Sequence, residues 1–484
     1  MKKTSAPFLI LLLLISGCAT VEKLTKGPSA EERFRERVDA ILADSIFAAT
    51  RCGIEIVSLE DGEVLYERDA RSLLRPASNM KLLTSAAALL TLPKPYLFRT
   101  ILSADTAASG DTLLGNVYVK GFGDPDFTSN DLASLIAKLR AKRITEVRGN
   151  LVGDARFFDD DNWGEGWMWD DEPSGFAAYN SALSINRNCV EVTVSPGFKA
   201  GDTVRVSIEP PTTYVSLVDS AITTADTSAL PLEISRKFKE RLNTVVVKGR
   251  MVLNAKPEKE LLSVLSPEMY FLSLAREEMK EEGIALEGRL LLDTMPAGAV
   301  EVAESSRSLD SVVVYLNKAS DNLSAENLLK VVGAQTYGVP GSTAHGIAAT
   351  RLALESIGID SSLYLMVDGS GVSHYNLVTA DAFVRLLRGM YRRSDLFGLY
   401  FNSLPNAGVD GLLINRMRGT AAQGNLHAKT GTIRGASCLS GYVRSADGEL
   451  LAFSIMMQNY IGSGEAYRRA QDEIGVLMAG LHRK

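Results

Sequence analysis

Hydrophobic positions in the first hundred residues follow two periods, one typical of helices and one typical of strands. Phe34, Val38 and the apolar residues after them recur at steps of three and four, which predicts a helix over residues 31–49. Residues 52–66 read as two strands around an acidic, glycine-containing turn. An alanine- and leucine-rich helix is predicted from about residue 78 to residue 92. The chain therefore opens as a helix, a hairpin and a second helix.

The rest of the chain mixes both periods. A closing hairpin followed by a helix predicts an antiparallel sheet covered by helices, which gives an α/β (α+β) fold class. The predicted elements are helices at 129–143, at 270–282 and from 465, an all-β segment at about 192–255, and strands at 312–316, 436–443 and 450–457.

Composition narrows the class of protein. The chain has 484 residues, of which 46% are hydrophobic and 23% charged, as in ordinary globular proteins. At roughly 150 residues per domain, this length predicts about three domains. The net charge of −6 argues against nucleic acid as a partner, because nucleic-acid binding depends on a basic surface.

The N-terminus has the pattern of an export signal. Lys2 and Lys3 precede an apolar run over residues 7–15, which is too short to span a bilayer. The following Ile15-Ser16-Gly17-Cys18 resembles a bacterial lipobox. That resemblance implies cleavage before Cys18 and acylation of this cysteine.

An acylated Cys18 would anchor the protein to a membrane, since two or more acyl chains hold a protein stably. We therefore expect a lipoprotein signal peptide at 1–18, a tether at 19–30 and a periplasmic protein attached to the outer or inner membrane. The alternative is an ordinary secretory signal with an incidental cysteine.

The remaining cysteines and the histidines give no sign of a metal. Cys52, Cys189 and Cys438 are odd in number, so at least one is a free thiol or pairs with another molecule. No C-x-x-C or H-E-x-x-H occurs, and the four histidines are scattered. We expect neither a metal site nor a cofactor.

Ser78-Asn79-Met80-Lys81 is the only Ser-x-x-Lys in the chain. On a helix this spacing places both side chains on one face, and the helix N-terminus favours negative charge developing at the serine. A serine nucleophile needs a neighbouring base, and lysine becomes one when burial lowers its pKa. Alone, the motif is equally compatible with a surface serine and lysine.

Two later motifs complete an ordered set. Ser320-Asp321-Asn322 lies before a predicted helix, and Lys429-Thr430-Gly431-Thr432 leads into a near-terminal strand. The order Ser-x-x-Lys, Ser-x-Asn, Lys-Thr-Gly is that of serine β-lactamases and penicillin-binding proteins.

With these motifs the chain resembles the class C low-molecular-mass penicillin-binding proteins, the D-alanyl-D-alanine carboxypeptidases and endopeptidases of the penicillin-binding protein 4 (DacB) type. Further matches are the long interval between Ser78 and Ser320, Gly121-Phe122-Gly123-Asp124-Pro125, the segment 163–171 and Asp368-Gly369-Ser370-Gly371-Val372-Ser373. The resemblance covers the chain from about residue 30 onward.

The resemblance implies a transpeptidase-like domain that is split by a large insertion. The expected bounds are 31–95 and 302–484 for the catalytic domain, 96–190 and 258–301 for inserted domain II, and 191–257 for a small β-rich domain III. The implied substrates are peptidoglycan stem peptides and cross-links, and β-lactams would be covalent inhibitors.

The resemblance also implies roles for the catalytic residues. Ser78 would attack the carbonyl between two D-alanines, and Lys81 would accept its proton. Ser320, positioned by Lys429, would pass a proton to the leaving amine, while Asn322 would hydrogen-bond the substrate amide.

The Lys-Thr-Gly motif would bind the substrate. Thr430, Gly431 and Thr432 are the expected substrate-binding residues, with the two threonines receiving the terminal carboxylate in the positive field of Lys429. The backbone N–H groups of Ser78 and Thr432 would form the oxyanion hole.

An acidic, tryptophan-rich loop in the insertion suggests a further substrate contact. Asp161, together with Asp170 and Asp171, would hold the ammonium group of a diaminopimelate side chain. The alternative interpretation is a solvated acidic loop over core tryptophans.

Two other functions remain open. A serine β-lactamase shares the three motifs, but its class A form needs a Glu-x-x-x-Asn segment, and Glu355 is followed by Ile359 instead. A non-catalytic lipoprotein that keeps the fold as a binding module would have lost a motif residue, and none is lost. Gly369-Ser370-Gly371 is not the G-x-S-x-G elbow of a Ser-His-Asp hydrolase.

Overall fold

The protein combines α-helices with mainly antiparallel sheets. A computed structural model describes residues 27–226 and 231–483. Within these residues the α-helices are α1 (Ala30–Leu42), α2 (Met80–Thr91), α3 (Ser129–Ala141), α4 (Pro267–Glu281), α5 (Leu309–Tyr315), α6 (Asn322–Tyr337), α7 (Thr343–Glu355), α8 (Ala380–Tyr391), α9 (Ser394–Ser403) and α10 (Glu465–Ala479).

The strands fall into one central sheet and several sheets of the inserted part. They are β1 (Arg51–Ser58), β2 (Val64–Arg68), β3 (Leu97–Ala104), β4 (Ala108–Ser109), β5 (Thr112–Leu113), β6 (Val117–Gly121), β7 (Glu146–Val147), β8 (Leu151–Asp154), β9 (Cys189–Ser195), β10 (Arg205–Glu209), β11 (Ser216–Asp219), β12 (Ile222–Thr224), β13 (Glu233–Arg236), β14 (Thr244–Lys248), β15 (Arg250–Val252), β16 (Glu258–Ser263), β17 (Ala285–Leu286), β18 (Leu290–Leu292), β19 (Val300–Ser308), β20 (Tyr364–Leu365), β21 (Leu377–Val378), β22 (His427–Ile433), β23 (Ala436–Arg444) and β24 (Leu450–Gln458).

The central sheet has the order β2-β1-β24-β23-β22, and every neighbouring pair is antiparallel. One face carries α1 and α10, and the other packs against α8, which shares a hydrophobic cluster with α2, α6, α7 and α9. Both faces are apolar because β1, β23 and β24 are buried along almost their whole length. The predicted fold class, hairpins and closing helix are confirmed.

The inserted part is built on a second five-stranded sheet of order β18-β8-β6-β3-β19. Helices α3 and α4 cover it. The inserted part also contains the smaller sheets β10-β9-β16, β11-β14-β13 and β12-β15. A continuous hydrophobic cluster runs from Val119 and Phe271 to Val192 and Val245, so the two inserted domains share a core.

The observed strand pairing shifts the expected domain bounds by a few residues. Strand β19 pairs with β3 along its length, so residues 302–308 belong to the inserted sheet rather than to the catalytic domain. Strand β9 spans the bound expected at 190, and it pairs with β16, which begins at the bound expected at 258. Sheet formation depends on partners distant in sequence, which composition along the chain does not reveal.

The strand predicted at 312–316 is wrong, because this segment is helix α5 and the π-helical turn that follows it. The Ser308 side chain accepts a hydrogen bond from the Ser311 N–H and so caps the helix. Val312, Val313 and Leu316 are then buried on one helical face. Packing on this face outweighs the strand preference of the valines.

The anchor predictions concern residues that the structure does not describe. Cys18, the signal peptide and most of the tether lie outside the described residues. Cys52, Cys189 and Cys438 are free and buried. In the part of the chain that is described, no helix has the length and apolarity needed to cross a membrane.

Candidate active site

The predicted nucleophile lies in a tight turn that leads into α2. Residues Ala77–Asn79 form a 3₁₀ turn, and Ala77 has a φ of 47°, a left-handed conformation that is strained for alanine. Gly371 packs against this turn so closely that a Cβ there would lie 1.8 Å from the Ala77 carbonyl oxygen. This packing fixes Ser78 beside Lys81, whose Nζ lies 3.0 Å from the Ser78 Oγ.

Lys81 is held in a fully buried position. Its Nζ also donates to the Asn322 Oδ1 at 2.6 Å and to the Ser370 carbonyl at 2.7 Å. Burial lowers the pKa of Lys81 to about 8, against the opposing effect of nearby carboxylates. A lysine with this pKa is partly neutral near pH 7 and can accept the Ser78 proton.

The second motif is placed by an irregular helix end. The π-helical turn Leu316–Ser320 ends with Ser320 at a φ of 59°, and the Asp321 side chain then caps α6 by accepting from the Ser324 N–H at 2.7 Å. Arg187 forms a 2.6 Å ion pair with Asp321 and ties this end of α6 to the inserted domain. Strained backbone of this kind persists where the surroundings hold it.

The third motif lies within β22, the edge strand of the central sheet. Lys429 is fully buried, and its Nζ donates to the Ser320 Oγ at 2.8 Å and to the Thr430 carbonyl at 2.9 Å. Burial and the charge of Lys81 lower the pKa of Lys429 well below its usual value. An anionic group of the substrate bound beside Lys429 would favour the charged form of this lysine.

Gly431 allows β22 to approach the Ser78 turn. A Cβ on Gly431 would lie 2.6 Å from the Pro76 carbonyl oxygen and 3.1 Å from the Asn79 nitrogen. No side chain fits at that separation without movement of the backbone. The glycine of this motif is therefore needed for the distance between strand and nucleophile.

A cleft of about 460 Å³ opens above these residues. It brings together the predicted residues Ser78, Ser320, Asn322 and Thr432, with Lys81 and Lys429 buried beneath. Thr430 and Gly431 are buried within β22. The lining residues are Ser78, Met168, Asp170, Asp171, Phe176, Ser320, Asn322, Gly371, Val372, His374, Thr432, Ile433 and Arg434.

Two expected contacts differ from the observed geometry. Asp161 is exposed and is not among the described residues that line the cleft, and its carbonyl accepts a hydrogen bond from Lys330. The Asn322 Nδ2 donates to the Phe176 carbonyl at 2.6 Å. A substrate amide would have to replace that carbonyl before it could bind Asn322.

Sequence reasoning missed two buried acids behind Lys81. Glu326 accepts hydrogen bonds from the N–H groups of Gly369 (3.0 Å) and Ser370 (2.7 Å). Asp368 accepts from the Gly371 and Ser373 N–H groups and from the Trp167 and Asn376 side chains. Together these acids hold the Ser370 carbonyl against Lys81. The sequence could have pointed to both acids. Asp368 begins the segment 368–373 that resembles the family, and Glu326 lies one helical turn after Asn322.

Known proteins match this chain over nearly its whole length. The model of the D-Ala-D-Ala carboxypeptidase 3 (S13) family matches residues 34–481. The chain belongs to this S13 family. The resemblance to D-alanyl-D-alanine carboxypeptidases of the penicillin-binding protein 4 type is thereby confirmed.

Two curated relatives illustrate the similarity. The D-alanyl-D-alanine carboxypeptidase of Actinomadura sp. (strain R39) is 36% identical over 460 residues, which cover 92% of this chain and 84% of the relative. D-alanyl-D-alanine carboxypeptidase DacB of Haemophilus influenzae is 27% identical, covering 87% of this chain and 88% of the relative.

The S13 fold is also matched by a solved structure. The crystal structure of penicillin binding protein 4 (dacB) from Haemophilus influenzae aligns with a TM-score of 0.81 and 25% sequence identity. The alignment covers 90% of this chain and 98% of that one. The two proteins therefore share their overall fold over nearly their whole lengths.

The pKa of Lys81 leads to a pH prediction. With Lys81 as the base for Ser78, the acylation rate by a penicillin is expected to rise with pH and level off above about 8. Glu326 raises this pKa, and Glu326→Gln is therefore expected to move the rising limb to lower pH. Stopped-flow acylation rates against pH measure the shift.

The exposed helical glutamate Glu355 provides the control for this prediction. Glu355→Gln is expected to leave the limb in place. A limb that stays fixed or moves to higher pH in Glu326→Gln would contradict the assignment of Lys81 as the base.

Proposed function

We propose that the protein is a serine-type D-Ala-D-Ala peptidase that acts on peptidoglycan stem peptides through an acyl-enzyme on Ser78. The observation that carries this proposal is the 3.0 Å contact between the Ser78 Oγ and the Nζ of a buried lysine with a lowered pKa. Membership of the S13 family and the name of its Haemophilus influenzae member, penicillin binding protein 4, support it.

The first step forms the ester. Neutral Lys81 takes the proton of Ser78, and the Ser78 Oγ attacks the carbonyl carbon of the penultimate D-alanine. The carbonyl electrons move to its oxygen, which the N–H groups of Ser78 and Thr432 would stabilise. One such donor is typically worth about 3–4 kcal/mol in the transition state.

The second step releases the C-terminal group. The C–N bond breaks as the tetrahedral intermediate collapses, and the leaving nitrogen takes a proton from the Ser320 hydroxyl. Lys429 donates to the Ser320 Oγ at 2.8 Å, so it positions this hydroxyl and stabilises negative charge on it. Lys81 passes the proton taken from Ser78 to the Ser320 oxygen and is neutral again. Water then attacks the ester, with Lys81 accepting the water proton and returning it to the Ser78 Oγ as the ester C–O bond breaks, so Ser78 is restored.

The terminal carboxylate of the substrate would orient the substrate in the cleft. The Thr432 side chain reaches the cleft, and Thr430 lies two residues earlier on the same face of β22. Lys429 lies beneath them, and a carboxylate bound here would favour the charged form of this lysine.

The release of D-alanine from a synthetic stem pentapeptide that ends in D-Ala-D-Ala tests this function. Wild-type protein is expected to release one D-alanine per peptide, and Ser78→Ala none. A cross-linked dimer of stem peptides, assayed in parallel, separates endopeptidase from carboxypeptidase activity. Neither product from folded wild-type protein would overturn the proposal.

The cleft also offers a place for the diaminopimelate ammonium. Asp170 and Asp171 line it, and burial raises the pKa of Asp171, a cost that an ammonium partner would offset. Within this proposal the role expected of Asp161 passes to its neighbours in the same loop. His374 and Arg434 on the wall would face the carboxylate of that side chain.

Asp171→Asn is expected to raise KM about tenfold for a stem peptide with a free ammonium, the loss of roughly one charge-assisted hydrogen bond. KM for the same peptide acetylated at that nitrogen should be unchanged. Asp161→Asn is the matched control and should alter neither value. Equal effects of Asp171→Asn on both peptides would contradict an ammonium contact.

We further propose that Cys18 is the acylated N-terminus of a periplasmic lipoprotein. The lipobox-like segment and the apolar run before it support this proposal. Cells fed an alkyne-labelled fatty acid are expected to label the wild-type protein, and Cys18→Ser should abolish the label and release the protein from the membrane fraction. Labelling that persists in Cys18→Ser would refute the anchor.

A further inference from the structure

A second cavity of about 290 Å³ lies in the inserted domain, outside the catalytic cleft. Its size is at the lower end for ligand sites and suits a single residue of a larger molecule. It is lined by Gly153, Ala155, Arg156, Phe158, Asp159, Asp160, Asn162, Asn180, Ser181, Ala182, Glu268, Leu292 and Asp293.

The carboxylates of this second cavity are unequally partnered. Asp159 pairs with the buried Lys330 at 2.5 Å, and Asp293 pairs with Arg156 at 3.5 Å. Across residues 27–226 and 231–483, Asp160 and Glu268 have no basic partner within ion-pair distance. Burial and the charge of Asp160 both raise the pKa of Glu268. The cavity therefore has two uncompensated acids.

An unsatisfied amide provides a second, independent observation. Asn180 is only 4% exposed and forms part of the cavity wall, yet its Oδ1 accepts no hydrogen bond from any described residue. Buried polar atoms are almost always hydrogen-bonded, since leaving one unpaired costs stability. An acceptor kept unpaired beside two carboxylates that lack a cationic partner is suited to a ligand with several N–H donors.

We infer that the second cavity binds the ammonium-bearing side chain of a diamino acid in a peptidoglycan peptide. An ammonium has three donors, which match Asp160, Glu268 and the Asn180 Oδ1. The choice of ligand rests on the proposed function, because the substrate of that reaction carries such residues.

The location favours a second peptide of the same substrate. Phe176 lines the catalytic cleft and Asn180 lines the second cavity, so no more than about 14 Å of chain separates these two walls. Cross-linked peptidoglycan presents two stem peptides close together. One would be cleaved in the cleft while the other is held in the second cavity.

Calorimetry with the tripeptide L-alanyl-γ-D-glutamyl-meso-diaminopimelate tests the inference. This probe has no D-alanine to release, and prior acylation with a penicillin blocks the cleft. We expect saturable binding of one tripeptide per chain, with affinity at least tenfold lower for the probe acetylated at the side-chain nitrogen. The same loss is expected in the double variant Asp160→Asn/Glu268→Gln.

Two controls separate this inference from the proposed function. Asp161→Asn removes an adjacent exposed carboxylate and should leave binding unchanged. If penicillin fails to acylate the protein, the proposed function fails, and titrating Ser78→Ala with and without the cavity substitutions still tests the second cavity. Absent binding, or binding that the double variant and acetylation leave unchanged, would overturn the inference.

Asn180→Leu distinguishes a ligand role from a structural one. If Asn180 is kept for a ligand, the apolar replacement is expected to leave the melting temperature unchanged or raised while tripeptide binding is lost. Hydrolysis of a short D-Ala-D-Ala peptide should stay unchanged. A lowered melting temperature with full tripeptide affinity would assign Asn180 to the fold and contradict its part in the inference.

Discussion

Lys81→Met is expected to lower the rate of Ser78 acylation by about 10²–10⁴-fold, the usual contribution of a general base. Methionine has nearly the same length and removes the nitrogen that lies 3.0 Å from the Ser78 Oγ. The rate constant for acylation by a penicillin measures the loss. The residual rate should also lose its dependence on pH near 8, because the titrating group is gone.

Lys330→Met is the matched control for this substitution. Lys330 is also a buried lysine, but it pairs with Asp159 away from the cleft. Its replacement is expected to lower the melting temperature through loss of that pair, with acylation by the folded protein retained. Equal acylation losses in the two variants would show that Lys81 acts through stability rather than as the base.

Gly431→Ala is expected to lower the acylation rate by about 10²-fold through displacement of reacting groups. The added Cβ would lie 2.6 Å from the Pro76 carbonyl oxygen, so β22 or the Ser78 turn must shift. The shift separates Ser78 from Thr432, whose N–H would form the oxyanion hole. The acylation rate and the melting temperature are measured together.

Gly398→Ala controls for the change of residue type. Gly398 lies on the exposed side of α9 with open space around its Cβ position. Alanine there should raise stability slightly, since it favours the helix, and leave acylation unchanged. Acylation of Gly431→Ala at the wild-type rate would show that the close approach at this glycine is unimportant.

The catalytic side chains were predictable because each comes with its own local motif. Ser78 and Lys81 are one helical turn apart, Ser320 and Asn322 flank a helix cap, and Lys429 lies within strand β22. Their order along the chain carried the resemblance, and the structure brings them into one cleft. The antiparallel central sheet was predictable from the closing hairpin and helix.

What the sequence did not reveal depends on contacts between distant segments. Glu326 and Asp368 support Lys81 through backbone N–H groups of a loop, and their positions in the sequence do not show this contact. Strand β19 joins the inserted sheet because β3 lies beside it. Asp161 and Asp171 share one acidic loop, and only the path of that loop shows which of them lines the cleft.

The inserted domain extends the account beyond the reacting groups. Its loop from Asp159 to Ala182 contributes Asp171 and Phe176 to the cleft and Asn180 to the second cavity. Glu172 in this loop pairs with the buried Arg236 at 2.8 Å, which ties it to the small β-rich domain. Under the two binding proposals, the insertion would provide the selectivity for peptidoglycan peptides.

Labelling with a fluorescent penicillin tests the central claim most directly. Wild-type protein and Ser78→Ala are incubated side by side, separated on a denaturing gel and mapped by peptide mass. The account predicts one lasting label on the wild-type peptide that contains Ser78, and no label in Ser78→Ala. Three results from folded wild-type protein would contradict the account: the penicillin stays intact, the label lies on a peptide without Ser78, or the penicillin is destroyed rapidly without a lasting adduct.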